Sequence, residues 1–164
     1  MNLQSAGDEG PFSHAQNLVD ADFFPQLLHL ETQKALRLRY SISVLCVSVS
    51  EGDQGEDPPP TKYVAQEMIR RLRATDVATL LSPSAVGILL VDADIQSVRQ
   101  VFDRATETLR DHPVSYEGRE SRVTLRAGAV CFPGTVTNAS DLMRQAIALM
   151  GRASAEGTSL YLPD

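Results

Sequence analysis

Val77, Thr79 and Leu81 alternate along one short run, and Val86, Ile88 and Leu90 alternate along the next. Between them lies Ser82-Pro83-Ser84-Ala85, a turn with no charged side chain. A period of two on both sides of a short break predicts a buried β-hairpin. Upstream, Phe24, Leu27, Leu28, Leu30 and Leu38 suit an amphipathic helix over Phe23 to Arg39, whose basic end complements its dipole. Ser41 to Val49 reads as a buried strand, and Thr61 can cap a helix reaching about Arg73. Ile95, Val98, Phe102, Ala105 and Leu109 form one face of a further helix. A short strand or loop follows around Val114 to Tyr116, then a strand from Val123 to Ala129 and a last helix from Ser140 to Glu156, stopped at Gly157. The alternation of strands and helices implies an α/β sandwich without internal repeats.

Two stretches carry no period. Residues 1–17 mix Gly, Ser, Asp and Glu and are expected to form a mobile tail, leaving residues 18–164 as one domain. Glu51 to Pro60 joins an acidic, glycine-containing run to three prolines, which supports neither a helix nor a ladder. Glu51, Asp53, Glu56 and Asp57 match no calcium-loop spacing, so a solvated loop is expected there and no metal site.

Composition narrows the function classes. A chain of 164 residues that is 43% hydrophobic can bury about 70% of its unfolded surface as one domain. The net charge of −6 argues against nucleic-acid or anionic-membrane partners, which favour a basic face. No stretch reaches the roughly 18 apolar residues of a membrane span, and the polar start lacks the pattern of a signal peptide, so a cytoplasmic location is expected. Cys46 and Cys131 sit in apolar runs without CxxC spacing and are read as buried, reduced thiols. His14, His29 and His112 are scattered, and no serine or cysteine stands in a nucleophile motif such as GxSxG.

The segment LRATDVATLLSPSAVGILL, Leu72 to Leu90, resembles the GGDEF (diguanylate cyclase) pattern LRxxDxxARxGGDEFxxLL, with Arg73, Asp76, Leu89 and Leu90 on matching positions. Val123 to Ala129 is similar to that family's VTVSxGxA, and the final helix to its ADxALYxAKxxGRN. The resemblance covers roughly residues 20 to 162 and implies a mainly antiparallel central sheet of about five strands flanked by helices.

It also implies which chemistry to look for. In the family, magnesium held by first-strand and hairpin carboxylates activates one GTP hydroxyl against another GTP, and a hard cation needs charged oxygen ligands. Here the first-strand acidic positions match Ser48 and Ser50, and the pentapeptide reads Ser82, Pro83, Ser84, Ala85 and Val86. The nucleotide-contacting segment NDxxGHxxGD is replaced by the proline loop, and the family's late lysine is Ser154. The resemblance thus implies a degenerate member with no catalytic residues, no cofactor and no GTP site of the family type.

What survives is the RxxD of Arg73 and Asp76, which in the family is the inhibitory site for cyclic di-GMP. A guanidinium can chelate guanine O6 and N7 or a phosphate, and a carboxylate can accept from the guanine N1 and N2 hydrogens. Arg104 falls where the family often places another arginine for the same ligand, and Arg70 and Arg71 add positive potential. Set against this, an arginine ending a helix and an aspartate opening a strand can persist as dipole-complementing and turn-capping residues. Three functions follow: a non-catalytic cyclic di-GMP receptor, a nucleotide-independent scaffold engaging a protein partner or a second copy of itself, and an enzyme using unusual residues.

Overall fold

The structure is a computed structural model and describes residues 17–51, 59–116 and 118–163. The tail up to residue 16, with His14, and residues 52–58 of the acidic proline loop lie outside the described residues.

Four antiparallel-paired strands make the body of the sheet. β2 (Ile42–Glu51) is its central strand, paired on one side with β4 (Ala85–Val91) and on the other with β7 (Val123–Phe132). β3 (Val77–Ser82) pairs antiparallel with β4, so the expected hairpin forms, with Ser82 opposite Ala85 and a register shift between Leu80 and Ser82. Two very short parallel strands complete the edges: β1 (Leu18–Val19) beside β3 and β8 (Leu160–Tyr161) beside β7. The order is β1-β3-β4-β2-β7-β8, a mixed sheet of six strands, one more than the five expected. β5 (Val114–Tyr116) and β6 (Arg119–Ser121) form a separate small ribbon.

Because β2, β4 and β7 are covered on both faces, their side chains divide by parity. Leu45, Val47 and Val49 point to the face covered by α2 (Thr61–Ile69) and α3 (Ile95–Asp111), where they meet Val64, Met68, Val98, Phe102 and Ala105. Ile42, Val44 and Cys46 point to the opposite face, against α1 (Phe24–Leu38) and α4 (Leu142–Glu156), where Phe24, Leu28, Leu142 and Ala146 are buried.

The helices correct the sequence reading in three places. α1 buries Phe24, Leu28, Thr32 and Ala35, whereas Leu30 and Leu38 are 50% and 66% exposed. Thr32 belongs to the buried stripe because its hydroxyl donates to the Leu28 carbonyl at 2.7 Å, which removes the cost of burying it. α2 stops at Ile69, short of Arg73, and Thr61 is its first residue; the Thr61 hydroxyl donates to the Pro83 carbonyl at 2.6 Å and ties the helix to the hairpin turn. α4 starts at Leu142 after a 3₁₀ turn over Ala139–Asp141, and ends as expected at Gly157, whose left-handed φ of 71° suits a residue without Cβ.

Candidate functional site

The RxxD segment forms a turn between α2 and β3. Asp76 is only 3% exposed, and both carboxylate oxygens accept backbone bonds: Oδ1 from Val91 N at 2.9 Å and Oδ2 from Arg73 N at 3.0 Å. A buried carboxylate needs such partners, and these weld the turn to the end of β4. The Arg73 side chain is 57% exposed; its Nε lies 3.5 Å from Asp76 Oδ2 and its guanidinium donates to the carbonyls of Val91 and Asp92. Asp92 has a left-handed φ of 50°, which turns the chain from β4 toward α3.

Arg71 and Arg104 relate to this corner differently. Arg71 donates to Thr108 Oγ1 on α3 and to the Glu67 carbonyl. Arg104 is one helical turn from Thr108 on the same stripe of α3, and is exposed. Arg71 therefore reaches α3 near its C-terminal end and Arg73 the corner just before α3 begins, and the structure does not bring Arg104 into contact with either. Arg70 pairs instead with Glu67 at 2.9 Å. A groove of about 420 Å³ between α2 and α3 continues from Thr108 past Arg70, Tyr63 and His112.

The sequence singled out Arg73, Asp76 and Arg104 but missed Asn17, Val91, Asp92 and Thr108. Asn17 has a left-handed φ of 70°, and its side-chain amide donates to the Arg73 carbonyl at 2.9 Å. Its only signal in the sequence was an asparagine just before an apolar pair, one of the few non-glycine residues that tolerates that backbone region.

At the opposite end of β4, the serines that the sequence resemblance aligned with catalytic positions also come together. Ser48 Oγ donates to the Arg126 carbonyl at 3.2 Å and lies 3.1 Å from Ser154 Oγ on α4; Ser50 Oγ lies 3.4 Å from the Thr124 carbonyl. Ser84 gives its carbonyl to Val49 N at 2.8 Å, Ser82 Oγ accepts from Ser84 N at 3.2 Å, and Ala85 is buried in the sheet. These donors are neutral, which does not fit a magnesium ion. Glu51, the last described residue of β2, lies on the other side of that strand in parity, where its Oε1 accepts from Ser121 Oγ. Among the described residues no group of three His, Cys, Asp or Glu could hold a metal ion.

Cys46 and Cys131 are buried and unpaired by a disulfide, and burial pushes the Cys46 thiol up to about 12. Burial together with the Glu31 carboxylate, which accepts from Tyr40 Oη at 2.9 Å, raises the Tyr40 phenol to about 12. Among the described residues no helix is long and apolar enough to cross a membrane.

No family model matches the chain. A probable diguanylate cyclase, DgcE of Escherichia coli (strain K12), is 31% identical over 85 residues, which are 52% of this chain and only 8% of that protein. Among solved structures, the GGDEF domain of PA1120 (YfiN or TpbB) from Pseudomonas aeruginosa superposes with a TM-score of 0.80 at 18% identity, over 91% of this chain and 98% of that one. The GGDEF domain of DgcB from Caulobacter crescentus, solved in complex with c-di-GMP, superposes with a TM-score of 0.71 at 11% identity, over 93% of this chain and 92% of that one. The α/β fold is that of the GGDEF domains.

Proposed function

We propose that this chain, which has the GGDEF-domain fold, is a degenerate, non-catalytic signalling domain that binds cyclic di-GMP on its arginine face. The observation that supports this reading best is Arg73 itself, whose side chain is 57% exposed and is held at the β4–α3 corner by the Val91 and Asp92 carbonyls, two residues from Arg71, in a chain whose net charge is −6. In an acidic protein such a local positive field attracts a dianionic ligand that the rest of the surface repels. Arg73 and Arg104 offer exposed guanidinium groups to phosphate or to a guanine edge. Asp76, at 3% exposure, serves the site by fixing the turn, and meets a ligand directly only when that turn opens.

Absence of catalysis is the second part of the reading. Ser48, Ser50, Ser84 and Ala85 supply no charge to hold a divalent cation, and Pro83 removes an amide donor from the turn that would cradle a nucleotide.

Calorimetric titration with cyclic di-GMP, beside Arg73→Ala and a GTP-magnesium control, tests the proposal. Micromolar or tighter binding is expected, weakened at least about tenfold by Arg73→Ala, with no heat from GTP. A wild-type chain that gives no heat with cyclic di-GMP removes the receptor reading.

The engagement of both Asp76 oxygens by backbone donors favours a second reading, in which the RxxD persists as architecture and the domain is a nucleotide-independent scaffold for a protein partner or a second copy of the chain. That reading expects partner capture to survive Arg73→Ala.

A further inference from the structure

We infer that Asn17 is a positioning residue of the arginine face, tying the first strand of the sheet to the direction in which Arg73 points. The structural part stands on its own observations; its consequence for ligand affinity rests on the receptor reading above.

Asn17 touches both ends of the Arg73–Ala78 turn. Its side-chain amide donates to the Arg73 carbonyl at 2.9 Å, and its own carbonyl accepts from Ala78 N at 2.7 Å. Inside that frame, Asp76 N donates to the same Arg73 carbonyl at 3.0 Å, and the Asp76 carboxylate returns to Arg73 N. The Arg73 peptide is thus held on its carbonyl side by Asn17 and on its amide side by Asp76. The side chain beyond it is more than half exposed, so packing does little to aim it. Its direction follows from the fixed peptide and from the Val91 and Asp92 carbonyls that its guanidinium meets.

The Asn17 amide is not what anchors β1. Leu18 and Val19 are buried at 8% and 4% exposure, one in each core, and pair in register with Ala78 and Thr79. The strand stays docked without it. What the amide adds is a hydrogen bond across 56 residues of sequence to one carbonyl, made from a backbone conformation that costs most side chains about 1–2 kcal/mol.

Asn17→Gly tests the effect, since glycine adopts φ 70° without strain and lacks the side-chain amide, though it also loosens the backbone at that position. In the full chain, backbone amide exchange and cyclic di-GMP titration are measured for wild type, Asn17→Gly, Arg73→Ala and the double variant. Exchange at Asp76 and Ala78 is expected to rise severalfold in Asn17→Gly, and affinity to fall about threefold to tenfold, the scale of one neutral hydrogen bond. In the Arg73→Ala background Asn17→Gly is expected to cause no further loss of affinity, because the residue acts through Arg73; a general destabilisation would add. Unchanged exchange at both amides overturns the inference, as does a full second loss of affinity in the double variant. If wild type does not bind cyclic di-GMP, the receptor reading fails, and the exchange comparison still decides whether Asn17 positions the turn.

Discussion

Ser48 and Ser154 stand 106 residues apart in the sequence, and their hydroxyls meet at 3.1 Å across the seam between β2 and α4. The first occupies the position matched to a family metal ligand and the second the position matched to its late lysine. A carboxylate and an ammonium at these places would form a charged pair beside a cation; two hydroxyls form one neutral contact. Incubation of the chain with GTP and magnesium or manganese is therefore expected to yield no cyclic di-GMP by mass spectrometry. Product above a no-protein control would refute this and point to the third function, an enzyme with unusual residues.

Asp76 and Arg73 should separate when each is removed. Asp76→Ala leaves the amides of Val91 and Arg73 without their acceptor in a buried turn, which is expected to cost about 2–4 kcal/mol. Arg73→Ala removes an exposed side chain and should cost under about 1 kcal/mol. Urea unfolding of the two variants measures this directly. Equal losses would mean that the guanidinium shares in holding the corner.

Local period and turn chemistry carried much of this fold. The alternation around Ser82–Ala85 marked the hairpin, the helical spacing of Val98, Phe102, Ala105 and Leu109 marked the buried face of α3, and Gly157 marked the end of α4. β1 and β8 were not legible because two residues contain no period, and both become strands only by pairing with β3 and β7. Leu30 and Leu38 misled because their spacing fits a helix but their positions lie off the stripe that α1 turns to the sheet. At the site, the identities of Arg73, Asp76 and Arg104 could be chosen by position in a motif. That the Asp76 carboxylate would be taken by Val91 N, or that Asn17 would hold the Arg73 carbonyl, depends on tertiary placement that no local pattern encodes.

Gly128 and Gly151 make a matched pair of opposite sign. A Cβ on Gly128 would lie 2.2 Å from Met150 N and 2.5 Å from Leu149 C, so β7 and α4 approach too closely for any side chain. Gly128→Ala must push the helix off the sheet, at an expected cost of about 3 kcal/mol. Gly151 lies within α4 with nothing inside 4 Å of an added Cβ, so Gly151→Ala should stabilise by about 0.5–1 kcal/mol through helix propensity alone. Thermal or urea unfolding reads both; a neutral Gly128→Ala would contradict the close approach.

The two thiols should be silent in the folded chain. Cys46 is fully buried with its thiol pushed up to about 12, and Cys131 is 5% exposed. A thiol-reactive reagent at about pH 8, where an ordinary cysteine of pKa about 8.5 is partly ionised, is expected to label neither in native buffer and both in denaturant. Rapid native labelling of Cys46 would mean that the sheet opens on the α1–α4 side.

The corner that receives Arg73 leads into the N-terminal cap of α3, where Asp94 makes the cap sensitive to acid. Asp94 accepts from Ser97 N at 3.0 Å and from Ser97 Oγ at 3.2 Å, and the backbone bond from Ser97, aided by the hydroxyl, lowers its pKa below the ordinary carboxylate value. A folded-state pKa below the unfolded one contributes stability that is present above the unfolded value of about 3.9 and is lost as pH falls through the folded value. Asn at this position keeps the cap but does not titrate. The difference in melting temperature between wild type and Asp94→Asn should therefore be constant from neutral pH down to about 5, then shift against wild type as the pH falls through about 3.9 and below. A difference that stays constant down to the lowest pH at which both chains fold would show that the charge on Asp94 adds nothing to the cap.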